Sequence, residues 1–175
     1  RHFDLARSSR SAAHFDEAQL RHWQREAVGR ADEPELLAWL SGRLEALAEP
    51  ARRSAFLQAV RGNLMSPQDV EPLVDVVCAA TVALDEDALR EVKSAGAAFF
   101  GHALDEWRRH APDFKAWTRA VGSATARKGA ALFMPLRAAL TGRTHGPELA
   151  PLVALMGGER VMERIAAAGR HAAAG

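Results

Sequence analysis

One stretch of the sequence combines an apolar run with groups that could bind an anion or a nucleotide base. From residue 131 to residue 149 it reads ALFMPLRAALTGRTHGPEL, and Arg137 is the first charged residue in it. The run breaks at Thr141 into a loop whose glycines permit close backbone approach, while Thr144 and His145 offer hydrogen-bond donors and acceptors. These residue types suit a site for a charged or polar ligand.

Two interpretations of Arg137 are open from the residues alone. Apolar residues at helical spacing form one face of a helix there, and Arg137 lies at the edge of that face. Its stem could lie on the core while its fork faces a ligand, or it could pair with a helix C-terminus or a carboxylate. The loop favours a ligand, because Pro147 predicts a helix start whose free N–H groups can bind an anion. An arginine, an open loop and a helix N-terminus together suit an unpaired RNA strand.

The sequence lacks the residue patterns of the common catalytic and metal sites. It has no glycine-rich nucleotide-binding motif, no nucleophile elbow and no pair of histidines at the spacing of a zinc protease. Its seven histidines are scattered, and Cys78 is its only cysteine, which excludes an internal disulfide. We therefore predict no catalytic residue and no metal site.

Composition predicts a folded protein of the cytoplasm. Of the 175 residues 48% are hydrophobic, which is enough to build a core, and no apolar run approaches the ~20 residues needed to cross a bilayer. No leader peptide is visible, and a lone cysteine is typical of a reducing compartment. Because the chain begins with Arg1 and not with methionine, we expect it to be a fragment of a longer protein.

The net charge of +1 hides a basic C-terminal part. Residues 119–171 hold eight arginines and lysines against three glutamates, an excess of five positive charges. Such an excess is expected of a face that contacts phosphates, and it is equally typical of a solvated helix surface. Charge alone leaves both interpretations open.

Helical spacing of apolar residues along nearly the whole chain predicts an all-α, multihelical fold. Acidic residues and prolines mark helix starts at residues 32–34, 50, 66–67 and 112–113. We expect the helix after residue 34 to include Leu47, and the valine-rich helix to extend to Leu84. A polar break at residues 84–87 predicts a boundary between two helical groups.

Two further expectations concern the core and the C-terminus. The tryptophans lie on apolar helical stripes and are expected in the core rather than stacked on bases; they are Trp23, Trp39, Trp107 and Trp117. The alanine-rich tail after Ala166 is expected to be frayed.

Three segments resemble bacterial glutamyl-tRNA synthetases. The segment LFMPLRAALTGRTHGPEL, residues 132–149, closely resembles their C-terminal region, and FDLARSSRSAAHFDEAQL, residues 3–20, resembles the part that follows their catalytic signature loop. The segment LVALMGGERVMERI, residues 152–165, lies in the matching place. The likeness covers essentially the whole chain, and the first two motifs are long and specific.

The resemblance implies a noncatalytic part of such an enzyme. The family's enzymes join glutamate to tRNA with ATP and magnesium, using an N-terminal domain with one histidine-rich and one lysine- and serine-rich signature. Neither signature occurs in this sequence, so the resemblance implies a chain with no cofactor of its own that is inactive alone. It implies three parts: residues 1–29 as the tail of a stem-contact region, and residues 30–84 and 85–175 as two packed helical subdomains that form an anticodon-binding cage.

The resemblance also implies roles for individual residues. Arg137, Pro147 and Leu149 occupy positions whose relatives contact the second and third anticodon bases. In some members an arginine of the first helical subdomain reads the first base, and the alignment places Asn63 at that position, two residues after Arg61.

The loop residues Arg143, Thr144 and His145 complete the predicted RNA-binding set, and Gly146 stands where a relative has threonine. The implied partner is the anticodon loop of tRNA for glutamate, bound by a monomer with no part for DNA or a membrane. The alternative from the residues alone is a helical adaptor whose arginine-rich face binds an acidic protein.

Overall fold

The chain folds into α-helices joined by short loops, which confirms the predicted all-α class. The computed structural model describes residues 16–174. Its helices are α1 Glu17–Arg30, α2 Glu33–Trp39, α3 Pro50–Val60, α4 Val70–Cys78, α5 Glu86–Ala95, α6 Ala97–His110, α7 Phe114–Thr125, α8 Ala130–Thr141, α9 Leu149–Met156 and α10 Gly158–Ala173, with short 3₁₀ helices at Arg61–Asn63 and Pro67–Asp69. Within residues 16–174 there is no β-strand.

Acidic side chains fix several of the helix starts that the sequence predicts. Asp32 begins α2 with a capping box: its carboxylate accepts the N–H of Glu35 at 2.9 Å, and the carboxylate of Glu35 accepts the N–H of Asp32 at 3.0 Å. Asp85 and Asp113 each accept a backbone N–H three residues on, at 2.7 and 2.9 Å, and so cap α5 and α7. A carboxylate at this position satisfies free N–H groups at the positive end of the helix dipole.

The helix α2 is shorter than the apolar spacing predicts. It ends at Trp39, and residues 40–49 form turns in which Gly42 has a φ of 78°, a conformation that favours glycine. Leu47 lies in these turns and is fully buried although it is not helical. The spacing therefore identified a buried residue correctly and its secondary structure wrongly.

The helix α4 also ends early, at Cys78 rather than at the predicted Leu84. Residues 79–85, here named the linker, have no regular secondary structure. The reason is a distant contact, because the carbonyl group of Ala79 accepts a hydrogen bond from Arg164 at 2.6 Å. The local spacing of valines carries no information about a contact 85 residues away.

The C-terminal helix α10 continues to Ala173, so the prediction of a frayed tail after Ala166 was wrong. Ala168, on this part of the helix, is 2% exposed, and α10 packs against α6. Burial of the small side chains stabilises the last turns.

The tryptophans divide between core and surface. The rings of Trp107 and Trp117 are buried and meet edge to face at 4.9 Å, and Trp39 is partly buried against the core. Trp23 is 58% exposed, so the prediction of a core position was wrong for this residue. It lies on α1, whose main contact is with the 3₁₀ helix Arg61–Asn63, and the only residue of α1 that is buried is Val28 near its C-terminal end.

A single hydrophobic core joins the two predicted subdomains. Leu40 and Phe56 of the first belong to the same cluster of buried residues as Trp117 and Ile165 of the second. The helix α9 packs against α3 and α4 as well as against α10. The division of the chain at residues 29/30 and 84/85 stays a prediction.

One buried arginine joins the ends of separate helices. Arg164 of α10 is 3% exposed, and its Nη1 donates to the carbonyl groups of Val76 and Leu140, each at 2.6 Å. Its Nη2 donates to the carbonyl of Ala79, at the end of α4. Carbonyl groups at helix C-termini form the negative end of the helix dipole and suit a cation. Burial, aided by nearby Arg160, lowers the pKa of Arg164 to about 10, which leaves it protonated at neutral pH.

Candidate nucleic-acid interface

The loop between α8 and α9 is held in place at its first residues. Gly142 ends α8 with a φ of 73° and donates its N–H to the carbonyl of Ala138 at 2.9 Å. The buried hydroxyl of Thr141 donates to the carbonyl of Arg137 at 2.8 Å and accepts the N–H of Arg143 at 3.3 Å. These hydrogen bonds therefore fix the backbone conformation at the start of the loop.

The same loop touches the linker at Gly142. The carbonyl of Gly142 accepts the N–H of Asp85 at 3.1 Å. A Cβ atom added to Gly142 would lie 2.2 Å from the carbonyl oxygen of Ala83, which is closer than real Cβ contacts. Only glycine fits this position, because the backbone is left-handed and the linker passes directly over it.

Arg137 of α8 binds the far end of the loop. Its Nη1 donates to the carbonyl of Pro147 at 2.8 Å, and a Cβ on Gly146 would lie 3.8 Å from the same nitrogen. The side chain is half-buried, and burial lowers the pKa of the guanidinium. Among the described residues no other acceptor bonds to the fork, so one arm holds the loop and the other donors are not used. The observed partner is a loop carbonyl, neither the helix C-terminus nor the carboxylate that the sequence suggested.

The other two residues assigned to base contacts lie at the far end of the loop. Pro147 and Leu149 are both buried, and α9 begins at Leu149, two residues later than predicted. Glu148 occupies the position before the helix, is exposed, and its side chain makes no hydrogen bond to the free N–H groups of the helix. A negatively charged residue at this position weakens the case for an anion site at the helix N-terminus.

A groove of about 590 Å³ runs between the loop and the first half of the chain. It is lined by Asn63, Asp69, Pro72, Leu73, Asp75 and Val76, by linker residues 79 and 81–83, and by Thr141, Arg143, His145, Gly146 and Pro147. Asn63 also borders a second groove, of about 740 Å³, between α3 and α9. Four residues of the predicted RNA-binding set, from both sides of residue 84, thus meet at one groove: Asn63, Arg143, His145 and Pro147. Arg137 and Thr144 are half-buried and Leu149 is buried, and none of these three residues lines the groove itself.

Arg61 and Asn63 have different surroundings although both lie in one 3₁₀ helix. The Nη2 of Arg61 donates to the carbonyl groups of Gly29 and Ala31 at 2.7 and 2.6 Å, at the end of α1. Asn63 is exposed and lines both grooves. Arg61 therefore joins α1 to the first helical part, and Asn63 is the one whose side chain lies at the grooves.

Asp69 orders the backbone at the edge of the groove. Its Oδ2 accepts the N–H groups of Met65 and Ser66 at 2.8 and 2.7 Å. Burial raises the pKa of the Asp69 carboxyl, but these hydrogen bonds outweigh burial and hold the pKa below the ordinary value of 3.8. The stabilisation by the ionised carboxylate is thus complete at neutral pH and is lost as the pH falls through that lowered pKa.

Only part of the basic excess in residues 119–171 is available at the surface. Arg164 is buried, and Arg160 and Arg127 donate to carbonyl groups at the C-terminal ends of α9 and α5. Arg143 is exposed on the groove but pairs with a carboxylate of the linker. The formal charge excess therefore overstates the cationic surface, which weakens the case for an arginine-rich docking face.

The described residues were also compared with the requirements of a metal site and of a membrane-spanning helix. In residues 16–174 no three His, Cys, Asp or Glu side chains are grouped so that they could hold a metal ion. No helix of the same part of the chain is long and apolar enough to cross a membrane. Cys78 is half-buried, with its Sγ 3.7 Å from the carbonyl oxygen of Ala46.

Comparison with known families identifies the domain. A family model described as an anticodon binding domain matches residues 34–169. The chain belongs to this family. An anticodon-binding domain has tRNA as its partner, and the matched residues include both walls of the groove.

Curated relatives of this anticodon-binding domain are glutamate–tRNA ligases. That of Halorhodospira halophila is 45% identical over 171 residues, which are 98% of this chain and 35% of the relative. One from Alkalilimnicola ehrlichii is 48% identical over 147 residues, 84% of this chain and 31% of the relative. The chain thus spans about a third of the length of these relatives.

Solved structures show the same fold. The glutamate tRNA ligase of Elizabethkingia meningosepticum, solved in complex with its amino acid, has a TM-score of 0.75 at 17% identity and covers 96% of this chain and 35% of that chain. The glutamate-tRNA synthetase of Elizabethkingia anophelis has a TM-score of 0.73 at 18% identity, covering 96% and 34%.

Sequence reasoning singled out Gly142 for close backbone approach but gave no role to Thr141 or Asp85, which also shape the groove of this anticodon-binding domain. The hydroxyl of Thr141 and the bare backbone of Gly142 fix the start of the loop, and the carboxylate of Asp85 pairs with Arg143. An aspartate before a predicted helix signals a cap, and this signal was present at Asp85. Its pairing with a residue 58 positions away had no local signal.

Substituting Gly142 by alanine should lower the free energy of unfolding by at least about 2 kcal/mol, because the added Cβ meets a carbonyl oxygen and the φ is unfavourable. Gly101→Ala is the matched control, since an added Cβ there has no atom within 4 Å and the position is exposed on α6. That change should stabilise the domain by about 0.5 to 1 kcal/mol. Urea unfolding of both variants measures these changes in the free energy of unfolding. An unchanged free energy for Gly142→Ala would show that the loop and the linker are not in contact.

Proposed function

We propose that this chain is the anticodon-binding part of a glutamate–tRNA ligase and that it holds the anticodon loop of tRNA for glutamate in the groove. The observation that carries the proposal is the convergence of Asn63 with Arg143, His145 and Pro147 on one surface. The names of the relatives, at 45% and 48% identity, support the choice of glutamate. No observation favours the adaptor alternative.

The chemistry of the groove suits unpaired bases. Proteins bind RNA loops by hydrogen bonds to base edges and by contacts to base faces, and phosphate contacts position the strand. The groove offers the amide of Asn63, the imidazole of His145 and the guanidinium of Arg143 above apolar residues of α4. A strand whose bases are turned inward could use all three kinds of contact.

In this proposal Arg137 reads a base at the second or third anticodon position, together with Pro147 and Leu149. Its bond to the carbonyl of Pro147 holds the side chain in one place before RNA binds. A guanidinium that is already ordered loses little conformational entropy on binding, and its remaining N–H groups can form a forked contact. The structural bond and the proposed recognition thus use different arms of the same side chain.

The first anticodon base is assigned to Asn63 and not to Arg61. All the described acceptors of Arg61 are backbone carbonyl groups of residues 28–31, whereas the amide of Asn63 is exposed in the groove. An amide offers both a donor and an acceptor to a base edge.

The catalytic reaction itself is assigned to parts of the ligase outside these 175 residues. We expect ATP and magnesium to act there, and we expect this chain, as a cytoplasmic monomer, to form no glutamyl adenylate. ATP–pyrophosphate exchange by the purified chain is the check on this expectation.

The test of the proposal is a titration of the 175-residue chain with the anticodon stem-loop of tRNA for glutamate and with a stem-loop of scrambled anticodon. We expect tighter binding of the first, and a fall of affinity with salt that corresponds to about two to five phosphate contacts. Affinity that is independent of both salt and anticodon would overturn the proposal.

Arg137→Ala should weaken binding of the glutamate stem-loop by about 1 to 3 kcal/mol, the cost of one good base contact. Arg137→Lys keeps a donor for the carbonyl of Pro147 but cannot form a fork, so it should retain stability and lose discrimination. Arg143→Ala is the control, because loss of a phosphate contact should weaken all stem-loops alike. If both Arg137 variants bind the two RNAs with equal losses, Arg137 is a structural or phosphate-binding residue.

A further inference from the structure

One cation at the edge of the groove is already paired within the protein. Arg143 is 52% exposed, and its Nη1 lies 3.3 Å from Oδ2 of Asp85, whose side chain is 29% exposed. The contact is single, and it is long for a hydrogen bond between charged groups, which is typically about 2.7 to 2.9 Å. Ion pairs that are this exposed stabilise a fold only weakly. The arginine can therefore exchange partners at low cost.

Asp85 is held in place without Arg143. Its carboxylate accepts the N–H of Ala88 at 2.7 Å as the cap of α5, and its own N–H donates to the carbonyl of Gly142. The hydrogen bond from Ala88, supported by the positive charge of Arg143, outweighs burial and holds the pKa of the Asp85 carboxyl below its ordinary value. If Arg143 moves away, the carboxylate stays ionised and keeps a hydrogen bond.

We propose that Asp85 is a counter-charge that pairs with Arg143 in the free protein and releases it to a backbone phosphate of bound RNA. A phosphate can accept two parallel hydrogen bonds from a guanidinium, whereas Asp85 accepts one at 3.3 Å. The phosphate is therefore the stronger partner once RNA lies in the groove. This inference rests on the proposed function and assigns a residue that controls one part of it.

The exchange of Asp85 for a phosphate as the partner of Arg143 affects how well the domain distinguishes one tRNA from another. Phosphate contacts attract every RNA, whereas base contacts separate one anticodon from another. An arginine that must first leave a carboxylate adds less to the affinity for any RNA than a free one. Asp85 thus lowers binding that is independent of sequence, and the choice of tRNA depends more on the residues that face the bases.

Asp85→Asn tests the proposal, since asparagine is as good a helix cap as aspartate and removes only the charge. The variant chain should bind the glutamate stem-loop and the scrambled stem-loop about two- to fivefold more tightly, which is the range for release of one exposed ion pair. In an Arg143→Ala background the same change should have little effect, because the paired cation is absent. The thermal unfolding midpoint of Asp85→Asn should fall only slightly, because the cap is kept and only the interaction of the charge with the helix dipole and with Arg143 is lost.

Asp113→Asn is the matched control. Asp113 caps α7 in the same way, has no ion-pair partner among the described residues and does not line the groove, so its substitution should leave RNA affinity unchanged. Unchanged or weaker binding by a folded Asp85→Asn overturns the proposal, as does a gain of equal size in the Arg143→Ala background, which would indicate general repulsion of RNA by the carboxylate. If the wild-type chain binds neither stem-loop, it is the proposed function that fails.

Discussion

The buried guanidinium of Arg164 is the contact on which the groove depends. It donates to Val76 and Ala79 at the end of α4 and to Leu140 at the end of α8. The linker leaves α4 at Ala79 and the loop leaves α8 at Gly142, so both walls of the groove start beside one side chain. Separating the two helix ends would leave a charge and three carbonyl groups buried without partners, which is costly. The distance between the walls is thus held by a buried arginine that does not itself line the groove.

Other arginines also donate to backbone carbonyl groups, which explains why the formal charge excess overstates the cationic surface of this domain. Arg61, Arg127 and Arg160 each donate to carbonyl groups at the C-terminal end of a helix, and Arg137 donates to a loop carbonyl. At these positions the planar fork of arginine joins backbone ends. RNA recognition then depends on the N–H groups that have no backbone partner. It also depends on how rigidly the N–H groups that bind carbonyl groups hold the loop. Affinity for RNA should follow geometry at the groove more closely than net charge.

Local features were predictable from the sequence, and distant contacts were not. The caps at Asp32 and Asp113 and the all-α class follow from spacing and residue type. The early end of α4 could not be predicted, because Arg164 sets it from 85 residues away. Trp23 is exposed because α1 has few neighbours among residues 16–174, and this follows from tertiary packing rather than from the sequence pattern. The loop could be singled out by its residues, but its meeting with Asn63 required the fold.

The central claim, that Arg164 holds the two walls together, is tested most directly by amide hydrogen exchange of Arg164→Met beside Arg170→Met. Both changes remove an arginine from α10, but Arg170 is exposed. The account predicts that Arg164→Met loses about 2 to 4 kcal/mol of protection at the ends of α4 and α8, while Arg170→Met keeps the protection of the wild type. Equal protection of these helix ends in the two variants would contradict it.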